Sequence, residues 1–202
     1  MQRAMWLDLH AVEQDRWVRA VLKGTEVEVE LVVLHHDPVS GAATSLVRFP
    51  PGLRRDTLGC YPAAEELIIL DGSLEYAGRI FAAGDYVHVP PRVQRTPMAS
   101  PNGLLVLAWF SAAPTWLTDP AETVAGEVGH AALTPGLLRP PSADVPGTTR
   151  VDTALQPADI DRDVLDIPTG RWCFLAAGAP VPAAPGPFVT RTWPRVRARP
   201  FP

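Results

Sequence analysis

The sequence predicts an all-β fold of the sandwich or barrel class. Three observations carry that expectation: short runs of β-branched and aromatic residues recur at even intervals, turn residues separate them, and helical periodicity is scarce. The clearest run is VEVELVVLHH (27–36), where Val27, Val29, Leu31 and Val33 alternate with Glu26, Glu28 and Glu30. A period of two marks a strand with one buried face.

The elements follow in order. Residues 1–17 read as a loosely structured arm or short helix, anchored by Trp6 and Trp17. After the 27–36 strand, DPVSG (37–41) is a turn by composition. ATSLVRF (43–49) returns as a strand and is stopped by Pro50-Pro51-Gly52. Further strands are expected at ELIIL (66–70), SLEYAG (73–78), DYVHV (85–89) and LLVLAWF (104–110). Turn signals separate them at Asp71-Gly72, Ala83-Gly84, Pro90-Pro91 and Pro101-Asn102-Gly103. Residues 134–202 hold 13 of the 23 prolines, so long regular elements are not expected there. Two islands, DVLDIP (163–168) and RWCFLAAG (171–178), read as strands. The closing RTWPRVRARPFP, with Arg191, Arg195, Arg197 and Arg199, reads as a solvated or wrapping tail.

A chain of 202 residues suggests one domain, or one domain with an appendage, and can bury a core without disulfides or structural metal. With 47% apolar and 20% charged residues, it has the composition of a soluble globular protein. The net charge of −4 argues against a nucleic-acid partner, which would need a basic surface. No run approaches the ~18 apolar residues of a spanning helix, so no membrane partner is expected. The opening MQRAMWLDLHAVEQDRW lacks a signal-peptide core, so a cytoplasmic location is expected. Cys60 and Cys173 do not suggest a disulfide framework.

Residues 51–97 carry two glycine-framed runs. The first passes from Gly52 through Leu58, Cys60 and Glu65 to Gly72; the second passes from Gly84 through Pro90 and Arg92 to Arg95. Their spacing resembles the two cupin motifs, G-x5-H-x-H-x3–4-E-x6-G and G-x5-P-x-G-x2-H. Thr44–Gly52, Glu65–Gly72, Gly84–Pro90 and Thr96–Ser100 resemble the ChrR cupin-like family more specifically. The resemblance implies a cupin barrel (a double-stranded β-helix, or jelly roll) over residues 20–116, with an interior site. An N-terminal arm (1–19) would precede it. A Pro-rich C-terminal extension (117–202) would follow, either as strands packing on the barrel or as a partial second cupin.

On this alignment Leu58, Cys60 and Arg95 occupy slots that hold histidines in cupins, and only Glu65 of the usual four ligands remains. Leucine has no donor atom, and a guanidinium offers only N–H donors, so neither can bind a metal. The expectation is a barrel without the usual metal, in which Arg95 pairs with Glu65. The pocket candidates are Glu65, Arg95, Cys60, Leu58, Tyr86 and Trp109. An alternative metal site for Fe, Mn, Ni or Zn would draw on Cys60, Glu65 and His88. Strand alternation, however, turns His88 outward with Tyr86 and sends Glu65 and Glu66 to opposite faces. The expected function is binding or sensing of a small organic ligand. The alternative is a metal-dependent dioxygenase or hydrolase of small organic molecules. Edge-strand pairing between subunits makes a homodimer the expected assembly.

Overall fold

The computed structural model describes residues 5–193. Two compact units divide the chain: one is Glu13–Ala132, and the other combines the two chain ends, up to Val12 and from Leu133 onward. Nearly all regular structure in both is antiparallel strand. No helix among the described residues is long and apolar enough to cross a membrane.

In Glu13–Ala132 the main sheet runs through Gly129–Ala132, Asp85–Val89, Glu65–Tyr76, Leu104–Phe110, Ala43–Phe49, Glu28–His36 and Val18–Val21. A second ladder joins Leu53–Arg55, Met98–Ser100, the end of Glu65–Tyr76 and Arg79–Ala82. The strand Glu65–Tyr76 belongs to both. The Asp71-Gly72 signal, expected to end one strand and begin another, instead lies inside this single 12-residue strand. The chain bends there without reversing, because Gly72 has a φ of 77° and the pairing with Leu104–Phe110 slips between Leu105 and Val106. Only glycine takes that φ without steric cost.

Leu104–Phe110 lacks alternation because both of its faces are buried. Leu104, Val106 and Ala108 join a core with Leu67, Ile69, Val87 and Val89, while Leu107 and Trp109 are buried on the opposite face. Trp17 is buried as well, with the Arg48 guanidinium 4.1 Å from its ring centroid.

The other unit is a six-stranded sheet in the order Leu7–Asp8, Arg171–Leu175, Asp161–Asp166, Phe188–Trp193, Thr149–Asp152 and Leu138–Arg139. Its core gathers Val164, Cys173, Leu175 and Phe188, with Trp6 packed against them. Within it the buried Asp163 accepts hydrogen bonds from the indole N–H groups of Trp172 (3.1 Å) and Trp193 (2.7 Å). Burial pushes the Cys173 thiol up to about 12, and both Cys60 and Cys173 are free. Four strands of this sheet, Leu7–Asp8, Leu138–Arg139, Thr149–Asp152 and Phe188–Trp193, were not expected. Arg191, expected in a solvated tail, is buried in the last of these; Arg195, Arg197 and Arg199 lie outside the described residues.

The units do not follow the 1–19, 20–116 and 117–202 divisions. Leu7–Asp8 pairs with Arg171–Leu175. Val18–Val21 pairs with Glu28–His36, and Gly129–Ala132 pairs with Asp85–Val89.

Candidate functional site

The Glu13–Ala132 unit contains a partly open cavity of about 420 Å³. Most of its wall is aliphatic or aromatic, including Val47, Leu67, Val89, Val106, Ala108 and Phe110. Polar side chains are few: Arg55, Tyr61, Glu65, Tyr76 and Arg95 line one part of it, and Ser45, the exposed Lys23 and the exposed His36 also reach the lining.

Local structure explains each inward side chain. Glu65 opens its strand on the same face as Leu67, so alternation aims it at the cavity. Glu66 turns the other way and accepts a hydrogen bond from the Tyr86 hydroxyl at 2.6 Å. Arg55 ends the short strand Leu53–Arg55, in which Leu53 and Arg55 are buried and Arg54 is exposed. Tyr61 follows the bridge between Cys60 and Leu117. Arg95 is held by its backbone N–H, which donates to Gly59 O at 2.9 Å.

Arg95 is 2% exposed and donates through Nη1 to Glu65 Oε2 at 2.9 Å and through Nη2 to Ala63 O at 3.1 Å. Such charge-assisted bonds are about twice as strong as neutral ones. Tyr61 lies near two cations, its ring centroid 5.4 Å from Arg95 Cζ and 5.8 Å from Arg55 Cζ. Arg55, 4% exposed, also sits 4.7 Å from the ring centroid of Trp116 and donates to Tyr61 Oη at 3.3 Å. Gly59 makes room for that indole, because a Cβ there would come within 2.4 Å of the Trp116 ring. The Tyr76 hydroxyl donates to Gln94 O. Burial pushes the Tyr76 phenol up to about 12 and raises Tyr61 as well, so both are neutral at physiological pH.

Of the six side chains named from the motifs and strands, Glu65 and Arg95 meet in the cavity and four do not line it. Leu58 is 57% exposed and faces a separate surface groove with Val93 and Val124. It lies in an irregular stretch, so no strand alternation turns it inward. Cys60 is buried, but its Sγ faces Glu122 O at 3.7 Å. Tyr86 and Trp109 are buried on the opposite sheet face, and His88 shares that face. Arg55, Tyr61 and Tyr76 were missed. One signal was available for Tyr61: the first motif tolerates three residues before its glutamate, and that count moves the second slot from Cys60 to Tyr61.

The polar cluster around Arg95 does not fit a metal ion. Its one carboxylate is already paired with Arg95, its phenols stay protonated, and its guanidiniums offer no lone pair. Cys60, Glu65 and His88, the alternative ligand set, point to different places. Among the described residues no group of three or more His, Cys, Asp or Glu side chains could hold a metal.

An antiparallel strand fold with a ligand-sized cavity fits a cupin-type protein. The family described as the ChrR Cupin-like domain matches residues 9–112, and the chain belongs to that family. No curated protein matches the chain. Among solved structures it is similar to a suspected dioxygenase from Nostoc punctiforme, with TM-score 0.70 and 10% identity over 94% of this chain and 82% of that one. It is also similar to YlbA from E. coli, with TM-score 0.54 and 11% identity over 94% and 86% of the two chains. A third similar structure is a suspected glyoxylate-induced protein from Pseudomonas aeruginosa, with TM-score 0.51 and 13% identity over 95% and 88%. At these identities the likeness concerns the fold alone. At 94% coverage it takes in residues of both units.

Proposed function

We propose that the Glu13–Ala132 unit is a small-molecule-binding or sensing cupin, which takes an organic ligand into its cavity without a metal ion. The observation that carries this reading is the cavity itself: about 420 Å³, mainly apolar, with a few polar groups. Small-molecule sites have that size and composition. The Arg95–Glu65 pair supports the metal-free part of the reading, since it ties up the one carboxylate that a metal would need. The ligand set named for the metal-dependent alternative, Cys60, Glu65 and His88, does not converge.

Thermal unfolding in the presence of EDTA tests the reading, with octanoate, octanamide and 1-octanol as probes. A molecule that binds only the folded protein stabilises it by mass action, by about 2.7 kcal/mol at one hundred times its dissociation constant. At least one probe is expected to raise the midpoint of the wild-type protein. Ala108→Leu, which adds volume to the cavity wall, is expected to weaken that effect. No shift with any probe, or an undiminished shift in Ala108→Leu, would contradict the proposal.

A further inference from the structure

Resting on that reading, we infer that the ligand is an amphipathic monocarboxylate whose carboxylate is received by Arg55 and whose apolar body lies along the aliphatic wall.

The argument starts from an imbalance of charge. Arg55, Arg95 and the exposed Lys23 line the cavity against a single carboxylate, Glu65, which Arg95 already engages. Among the described residues Arg55 meets no carboxylate within salt-bridge distance. Its one acceptor among those residues is the Tyr61 hydroxyl, and its buried Nε has none among them. Arginine carries five N–H donors in a planar fork, so most of those on Arg55 are unused. The rings of Trp116 and Tyr61 interact with the cation through their π faces but supply no in-plane lone pair. Arg95 likewise has a buried Nε without an acceptor. Burying an uncompensated guanidinium is costly, and an anion that arrives with the ligand would remove that cost.

The rest of the lining sets the remainder of the ligand. Leu67, Val89, Val106, Ala108 and Phe110 offer no hydrogen-bonding side chain, so the body of the ligand must be apolar. A carboxylate matches the guanidinium fork with two parallel hydrogen bonds. The neutral phenol of Tyr61 stands next to Arg55 as a further donor. A second carboxylate would have only the already engaged Arg95 and the solvent-exposed Lys23 to meet, which favours a single buried acid group.

Isothermal titration of the full chain with octanoate and with octanamide at neutral pH tests this. The two probes share shape and apolar area and differ in charge. Octanoate is expected to bind about tenfold or more tightly, as one charge-assisted contact implies. Arg55→Met, which keeps an unbranched apolar stem and removes the guanidinium, is expected to abolish that preference, so that the two probes bind with similar affinity. Equal affinities in the wild-type protein would overturn the inference and leave the small-molecule reading standing. An acid preference that survives Arg55→Met would overturn the role of Arg55. Failure of both probes to bind would overturn the inference together with the reading beneath it. If Arg55→Met does not fold, the wild-type ratio of the two affinities decides alone.

Discussion

Arg95 spends three of its contacts on Glu65, Ala63 O and Val89 O while almost entirely removed from water. Desolvating both charges offsets much of their attraction, so the pair need not stabilise the fold, but losing one member leaves the other stranded. Arg95→Met is therefore expected to lower the free energy of unfolding by about 3–5 kcal/mol. Adding Glu65→Gln should recover a substantial part of that loss, measured by urea denaturation of both variants. Equal stability of the single and double variants would contradict the account. Spacing made Glu65 and Arg95 legible, because two motifs with fixed intervals pin both positions at once. Arg55 was not legible: its strand has three residues, too few for alternation to distinguish it from the exposed Arg54 beside it. Leu58 was placed by counting along a motif whose residues here follow no strand, and counting fixes direction only where a strand does.

The strand Glu65–Tyr76 builds the cavity because it serves two ladders. Its bend depends on Gly72, where an added Cβ would lie 2.1 Å from Gly103 O, a backbone atom that cannot swing aside. Gly52 has a similar positive φ of 78°, but a Cβ there meets nothing within 4 Å. Gly52→Ala should cost only the backbone strain, about 1–3 kcal/mol, and Gly72→Ala distinctly more. Thermal unfolding of the two variants measures the difference; equal losses would mean that the close approach at Gly103 does not matter. The sequence signals at Asp85–Val89, Leu104–Phe110 and Ala43–Phe49 matched the strands residue for residue, since those runs are apolar, β-branched or aromatic and bounded by turns. Asp71-Gly72 misled for a physical reason. A glycine at positive φ serves a turn and a bend equally well, and only the partner strand decides between them.

Across the whole molecule, chemistry and regular structure are distributed differently. The cavity and its buried arginines lie in Glu13–Ala132, the unit whose five longest strands were readable. The other unit gathers five of its six strands from the proline-rich region, because the prolines fall between strands or at their flanks and leave runs such as FVTRTW uninterrupted. Its edge strand Leu7–Asp8 pairs with Arg171–Leu175. Local pattern carries no information about a partner so far along the chain. The proposed metal-free reading of the cavity rests on the Arg95–Glu65 pair. Elemental analysis of protein purified without an affinity tag, wild type beside Glu65→Ala, tests it most directly. The account predicts well under one Fe, Mn, Ni or Zn per chain in both proteins. About one such ion per wild-type chain, lost in Glu65→Ala, would contradict it.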